Sequence, residues 1–288
     1  MHNIGVPRLY GPMIFIASDY GGAHKTSDYE VISVLYVDAE ASGEWESRRQ
    51  VVRALCMADG RRMSFKNLGD RQRQKALLTF LGASEALSGV CVSLVIRKSL
   101  KWLHGDRAFL DHIRKVVPLR AKWRDCQLER MLCITHLVGF LTGGLSRPGQ
   151  SFYWISDQDD TFANRQKSAD SAQVVSRFTS HYVRHQLGEM GVGTTALDEG
   201  DRFEEDLAAI SDLMAGAIAE LATEFGKACG GCIPSNFTIP FARKLRPKVE
   251  LLVDWIYDNT GSFKKVVVLF EKQRDGRLGV FKLEAVKA

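Results

Sequence analysis

Apolar and polar positions alternate along this chain in two ways, as short continuous apolar runs and as longer stretches with helical spacing. The short runs predict five strands, at residues 13–18, 30–37, 90–96, 151–156 and 192–197. The helical spacing predicts helices at residues 43–57, 70–87, 106–118, 120–141, 161–187 and 201–225. Strands interleaved with helices in this order indicate an α/β fold built on a mixed sheet flanked by helices.

Turn signals and connection lengths add topology to that pattern. The link between the first two strands has hairpin length, so they are predicted to be antiparallel. After residue 234 we expect a helix starting near Pro247 and a hairpin of residues 266–270 and 278–283. We therefore divide the chain into a domain at 1–233, with a helical elaboration at 101–150, and a helix-plus-hairpin appendage at 234–288.

Composition limits the class of protein. The chain has 288 residues, of which 45% are hydrophobic and 25% charged, the mixture typical of a globular domain. No apolar run reaches the length of a membrane span, and the first residues lack a signal-peptide pattern, so we expect a cytoplasmic protein without membrane contact. The six cysteines are predicted to be reduced thiols, and Cys229 and Cys232 lack the second pair of ligands that a zinc site needs. A net charge of +5 permits contact with nucleic acid without requiring it.

Acidic residues stand where the predicted elements meet. Asp19 and the run from Asp157 to Asp160 each follow a predicted strand, and side chains at strand ends lie on the rim of a sheet. Glu205 and Asp212 lie two turns apart on one face of a helix whose inner stripe is otherwise apolar. These acids are predicted to meet in one cluster.

Small residues beside those helical acids, Ala208, Ala209 and Gly216, would let the helix approach the sheet closely. Crowded carboxylates repel one another unless a cation binds among them, and their hard oxygen atoms suit Mg²⁺ or Mn²⁺. Each acid also has a purely structural interpretation. Asp19 could favour the turn that follows it, the Asp157 run could begin a helix, and Asp212 could be solvent exposed.

Several segments together resemble the family catalogued as domain of unknown function 3800. They are Asp19-Tyr20-Gly21-Gly22, the sequence MSFKNL at residues 63–68, the strand-end aspartates, and ISDLMAGA at residues 210–217. The resemblance covers roughly residues 13–221 and rests mostly on the last segment. It implies a ribonuclease H-like fold and, for a non-catalytic member of that fold, suggests a role in a bacterial defence or mobile-element system.

The resemblance also implies roles for single residues. Asp19 matches an aspartate of the first strand, Asp157 or Asp159 the aspartate of a later strand, and Asp212 that of the final helix. These four are the expected metal ligands, and Lys66 matches a lysine that precedes the second helix.

The chain departs from the family pattern at two of these positions. Tyr20 stands where a second acid is common, and Ser211 stands where alanine is usual. His24, a few residues beyond, is a candidate ligand or general acid, although a loop histidine is more often only solvated.

Three groups of basic residues are candidates for phosphate binding. The first holds Arg61, Arg62, Lys66, Arg71, Arg73 and Lys75; the second holds Arg114, Lys115, Arg120, Lys122 and Arg124, beside Trp102 and Trp123; the third holds Arg243, Lys244, Arg246 and Lys248. The tryptophans of the second group could stack on bases. Solvated helix faces with core tryptophans are at least as good an interpretation of that second group.

Two functions follow. The first is a metal-dependent nuclease or phosphodiesterase with Asp19, Asp157, Asp212, Glu205 and Lys66 as catalytic residues and two-metal hydrolysis of nucleic acid. The alternative is a non-catalytic module of the same fold that binds nucleic acid or a partner protein, favoured by Tyr20. An exposed edge of the C-terminal hairpin could also pair with a second copy of the chain.

Overall fold

The computed structural model describes residues 8–100, 106–156, 161–198, 200–229, 233, 236–239, 245–258, 260–272 and 276–287. The strands are β1 (Met13–Gly21), β2 (Tyr29–Asp38), β3 (Gly89–Arg97), β4 (Ser151–Ser156), β5 (Met190–Thr194), β6 (Asn236–Ile239), β7 (Lys264–Lys272), β8 (Leu278–Lys282) and β9 (Glu284–Lys287). The helices are α1 (Gly43–Cys56), α2 (Arg71–Ser84), α3 (Arg107–Val116), α4 (Asp125–Leu145), α5 (Arg165–Tyr182), α6 (Phe203–Ala228) and α7 (Pro247–Tyr257).

Seven of these strands form one mixed sheet in the order β5-β4-β1-β2-β3-β7-β8. β1, β2 and β3 form an antiparallel meander, which confirms the hairpin predicted for the first two strands. β4 runs parallel to β1 and β5 parallel to β4, after connections that carry helices. The predicted α/β class, a mixed sheet flanked by helices, is confirmed.

The helices cover both faces of the sheet. Because strand side chains alternate between faces, Ala17 packs with α6 while Ile14 and Ile16 pack with residues of α4 and α5. The α6 side also contains buried residues of α1, α2 and α7. α6 therefore lies against the central strands, where its polar side chains can reach the end of β1.

Local signals for helix starts are confirmed where a side chain caps the helix. Asp70 accepts hydrogen bonds from the backbone N–H groups of Gln72 (3.1 Å) and Arg73 (2.9 Å) at the start of α2. Asp106 accepts one from the N–H group of Phe109 (3.1 Å) at the start of α3. Helix ends that lack such signals deviate more from their predicted positions. For example, α5 ends at Tyr182, whereas the sequence predicted an end near residue 187.

The placement of the C-terminal segment relative to the main sheet differs from the prediction. The predicted hairpin is present as β7 and β8, but β7 is hydrogen-bonded in parallel along β3, so it extends the main sheet instead of standing apart as an appendage. The short strands β6 and β9 pair with each other and have no counterpart among the predicted elements. The boundary at residue 233 stays a prediction, and α3 and α4 occupy the region predicted to be a helical elaboration.

Within the described part of the chain, no helix combines the length and apolar character needed to cross a membrane.

Candidate active site

A cleft of about 690 Å³ opens where the end of β1, the loop before α2, α6 and the start of α7 meet. Four of the five predicted catalytic residues line it: Asp19, Lys66, Glu205 and Asp212. These residues come from three separate segments, so the fold brings together a set of groups that are far apart in sequence.

Two glycines allow these segments to approach closely. A Cβ atom on Gly21 would lie 2.3 Å from the carbonyl oxygen of Ala215, and one on Gly216 would lie 2.2 Å from the ring of Phe65. Neither position has room for a side chain. Gly216, predicted to let α6 approach the sheet, instead makes room for the Phe65 ring of the loop before α2; the close approach of α6 to the sheet lies at Gly21 and Ala215.

Asp19 lies within β1, which continues to Gly21, rather than just beyond the strand as the sequence suggested. Its Oδ1 accepts a hydrogen bond from the N–H group of Tyr20 (2.5 Å). Ser211 of α6 donates its hydroxyl proton to the carbonyl oxygen of Ala17 (3.0 Å). This bond joins α6 to β1 next to Asp212, and gives Ser211 a structural role.

Asp212 is half-buried, so the solvent-exposed alternative does not describe it. Its Oδ2 accepts a hydrogen bond from the backbone N–H group of Phe65 (2.6 Å). Lys66, the next residue of that loop, is exposed and lines the cleft. Asp212 thus fixes the segment that carries Lys66.

Glu205 is the most enclosed acid of the cleft, with 5% of the residue exposed. Its Oε1 forms ion pairs with Arg62 and with Arg202, the latter at 2.9 Å. Its Oε2 is buried and has no hydrogen-bond partner among the described residues. A buried carboxylate oxygen without a donor is costly, and a bound cation would satisfy it.

The run from Asp157 to Asp160 lies outside the described residues, so the structure does not test Asp157 or Asp159. The last described residue before it, Ser156, pairs in the parallel register with Ser18, the residue before Asp19.

Tyr20 points away from α6. Its hydroxyl group is hydrogen-bonded to Ser156 (2.9 Å) and Ser18 (3.0 Å), and the guanidinium of Arg130 lies 4.8 Å from its ring centre. Its ring packs with the residues on the α4 face of the sheet. His24, in contrast, lines the cleft as an exposed side chain hydrogen-bonded to Thr26 (2.8 Å).

Three cations in the cleft were not assigned to it from the sequence: Arg62, Arg246 and Lys248. Each belonged to a predicted basic group, but more than 180 positions separate Arg62 from the other two, and only the fold joins them. Arg246 forms an ion pair with Glu220 across the same cleft. Arg243 and Lys244, of the third group, lie outside the described residues.

Arg114 of the second basic group has structural contacts beside the buried Trp123, whereas the other four basic residues of the group are exposed. Trp123 is buried and donates its Nε1 proton to Asp170 (2.9 Å). Arg114 pairs with Asp111 (3.0 Å) and Asp125 (2.6 Å). The interpretation as a solvated face beside a core tryptophan fits these contacts, and Trp102 lies outside the described residues.

A second acidic group, missed in the sequence, stands at the start of α6. Asp198, Asp201 and Glu204 bring one oxygen each within 4.8 Å of one another. Burial works to raise the pKa of Asp198, but the backbone N–H groups of Glu205 and Gly200 outweigh it and lower that pKa. Burial, with the nearby charge of Asp198, raises the pKa of Glu204. Asp198 accepts hydrogen bonds from the backbone N–H groups of Arg202 and Glu205, and Asp201 accepts one from that of Phe203, so these two acids cap the start of α6.

No protein-family model matches the chain, and no curated protein matches it. Among solved structures, it is similar to a chain in the structure of the PCNA:RNase HII complex from Archaeoglobus fulgidus. The TM-score is 0.37 and the sequence identity 13%, over 84% of this chain and 88% of that chain. Similarity at this level does not assign a function, so the function must be argued from the residues of the cleft.

Proposed function

We propose that the protein is a metal-dependent phosphodiester hydrolase that cuts nucleic acid in the cleft between β1 and α6. The observation that carries this proposal is that Asp19, Asp212 and Glu205 line one cleft, in which Glu205 also has a buried Oε2 without a hydrogen-bond partner among the described residues. Glu205 is already paired with Arg62 and Arg202, so the case for a metal ion rests on Asp19 and Asp212, whose hard oxygen atoms suit Mg²⁺ or Mn²⁺.

The arrangement of the sheet supports the ribonuclease H-like fold that the family resemblance implies. The antiparallel meander of β1, β2 and β3 is followed by β4 and β5 in parallel on the other side of β1. Asp19 lies on the central strand of this arrangement, and Asp212 on the helix that packs against it. We therefore keep the ribonuclease H-like assignment as part of the proposal.

Asp19 and Asp212 would hold the metal, together with Asp157 or Asp159, and Glu205 would assist. Among the described residues, only Asp198, Asp201 and Glu204 bring three possible ligand atoms within 4.8 Å of one another, so the site needs an acid of the Asp157 run to be complete. The register supports including the latter two, because β4 ends at Ser156, beside the residue that precedes Asp19. A bound divalent ion would supply an activated water and charge stabilisation at the leaving oxygen.

The cations of the cleft fit the binding of a phosphodiester substrate. A cleft lined by acids alone would repel a phosphodiester, but Lys66 and Lys248 also line it, as does Arg62. Their charges attract the phosphate backbone and hold it near the carboxylates. Lys66 is the residue we assign to the reacting phosphate, because its neighbour Phe65 is hydrogen-bonded to Asp212.

The first test is the variant Asp19→Asn, which removes a negative charge from the cleft and keeps the side-chain size. Wild-type protein with Mn²⁺ should cut labelled single- or double-stranded RNA or DNA, and the variant should not. Asp254→Asn, at an exposed position of α7 away from the cleft, is the matched control and should cut normally. Cutting that survives Asp19→Asn would refute the proposal.

Calorimetry with Mn²⁺ gives a readout that does not depend on finding the substrate. Wild-type protein and Asp254→Asn should bind Mn²⁺, whereas Asp19→Asn and Asp212→Asn should bind it at least several-fold more weakly, since each removes a ligand. Equal binding by all four proteins would show that the metal site lies elsewhere.

The alternative of a non-catalytic binding module drew its support from Tyr20. In the structure, the hydroxyl group of Tyr20 lies with Ser18 and Ser156 on the opposite face of β1 from α6. A tyrosine at this position therefore takes no carboxylate away from the α6 face, and we favour the hydrolase.

A further inference from the structure

Lys248 lies in the first turn of α7, where a positive charge does not stabilise the helix. α7 starts at Pro247, and a cation near a helix N-terminus is unfavourable because the N-terminal end of a helix carries partial positive charge. Its side chain is also half-buried. Burial, with the nearby charge of Arg246, lowers the pKa of Lys248, while Asp212 opposes that shift. The position of the ammonium group therefore calls for another explanation.

The contacts of Lys248 supply one. Its Nζ donates a hydrogen bond to the carbonyl oxygen of Phe65 (3.0 Å) and lies 4.0 Å from the centre of the Phe65 ring. The N–H group of the same residue donates to Asp212 (2.6 Å). Phe65 is thus held on one side by an acid of the cleft and on the other by a lysine from the C-terminal segment.

The ring of Phe65 is fixed as well, because it fills the space left by Gly216. A residue held through its N–H group, its carbonyl oxygen and its ring leaves little freedom to the residue that follows. That residue is Lys66, which is exposed in the cleft. The two lysines therefore line the same cleft with one tightly held residue between them.

We propose that Lys248 and Lys66 form a two-lysine phosphate clamp, in which Lys248 both binds the phosphate backbone of a nucleic acid and positions Lys66 by holding Phe65. This inference rests on the proposed function for the identity of the ligand, and it makes the C-terminal segment part of the binding site. The clamp attracts the backbone of the strand without reading its bases.

The test measures binding in EDTA, so that it does not depend on metal or on cutting. A fluorescein-labelled single-stranded DNA or RNA of mixed sequence is titrated with protein, and its anisotropy is followed at several salt concentrations. Lys248→Met, which keeps the length of the side chain and removes the charge, should weaken binding several-fold and lower the salt slope by about 0.7. Lys248→Arg should retain most of the affinity and of the slope.

Lys282→Met is the matched control, because Lys282 is an exposed lysine of β8 paired with Glu284 and does not line the cleft. It should bind like the wild type. The double variant Lys66→Met with Lys248→Met should lose less affinity than the sum of the single losses, since Lys66 is already misplaced when Lys248 is absent. Thermal unfolding of each variant shows whether it is folded at the assay temperature.

Normal affinity and salt slope in folded Lys248→Met would overturn the clamp. A wild-type protein that binds neither single-stranded DNA nor single-stranded RNA would overturn it as well. Strictly additive losses would overturn the positioning role of Lys248. Absence of Mn²⁺-dependent cutting would instead count against the proposed function, while weakened binding by Lys248→Met in EDTA would still support the clamp.

Discussion

Asp206 lies at the centre of a buried group of charges that joins α1 to α6. Its side chain is fully buried and pairs with Arg49 (3.1 Å) and with Arg53, both on α1. Arg49 is itself only 2% exposed. We predict that Asp206→Asn lowers the free energy of unfolding by about 3–5 kcal/mol, because it leaves two enclosed guanidinium groups without their shared counter-charge.

Urea denaturation followed by circular dichroism measures that loss. The control is Glu44→Gln, which breaks the exposed pair of Glu44 with Arg48 and should cost about 0–1 kcal/mol. Equal small effects of the two variants would show that the buried pairing contributes little to stability.

The cysteines differ in reactivity because they differ in burial. Burial raises the pKa of Cys91 to about 12, and it raises that of Cys133 as well, so neither forms the reactive thiolate at pH 8. Cys126 and Cys229 are exposed. A short pulse of iodoacetamide on the native protein, read by peptide mass spectrometry, should label Cys126 and Cys229 and leave Cys91 and Cys133 unmodified. Fast labelling of Cys91 without denaturant would contradict this.

At the scale of the elements, the close approach of α6 to the loop before α2 depends on Gly216. Gly216→Ala would place a methyl group against the Phe65 ring, so we predict a loss of stability of about 1–3 kcal/mol from overpacking. The displaced ring should also pull the N–H group of Phe65 away from Asp212, so cutting should fall.

Gly82→Ala provides the opposite control in the same assays. Gly82 lies on an exposed part of α2 with nothing within 4 Å of a new Cβ atom, so alanine should stabilise the helix by about 0.5–1 kcal/mol. If Gly216→Ala were as harmless as Gly82→Ala, the approach of α6 to Phe65 would be looser than the structure has it.

The elements that the sequence predicted well are those with strong local signals. β4 was predicted at its observed bounds because aromatic and β-branched residues fill it, and α2 begins at the predicted cap, Asp70. β6 and β9, at four residues each, are too short for a periodic pattern to reveal. β1 was predicted too short at its end, because Asp19 and Tyr20 are polar residues in a strand that continues.

At the scale of the whole molecule, prediction was limited by contacts between distant segments. The acids of α6 could be placed on one face of a helix from their spacing alone. No spacing, however, links Phe65 to Lys248 or places β7 along β3, since these contacts join segments about 180 positions apart. The cations of the cleft were therefore seen only as separate basic groups.

The placement of β7 also makes a prediction about the boundary at residue 233. Six aliphatic side chains of α7 and β7 are at most 2% exposed: Val249, Leu252, Val253, Ile256, Val267 and Leu269. Burying such side chains contributes roughly 1.5–3 kcal/mol each, and all six belong to the same core as α6, so their loss would leave that core incomplete. Removing residues 234–288 would also leave β3 as an open edge.

We therefore expect the truncated chain 1–233 to lose its cooperative unfolding transition, to bind the dye ANS, and to aggregate, while the full chain unfolds in one step. Circular dichroism during urea titration and ANS fluorescence measure these properties. A truncated chain that unfolds cooperatively near the midpoint of the full chain would restore the appendage interpretation. It would also place the energetic centre of the molecule in β1 to β5 and α6, with Lys248 serving the cleft from a segment that the fold does not need.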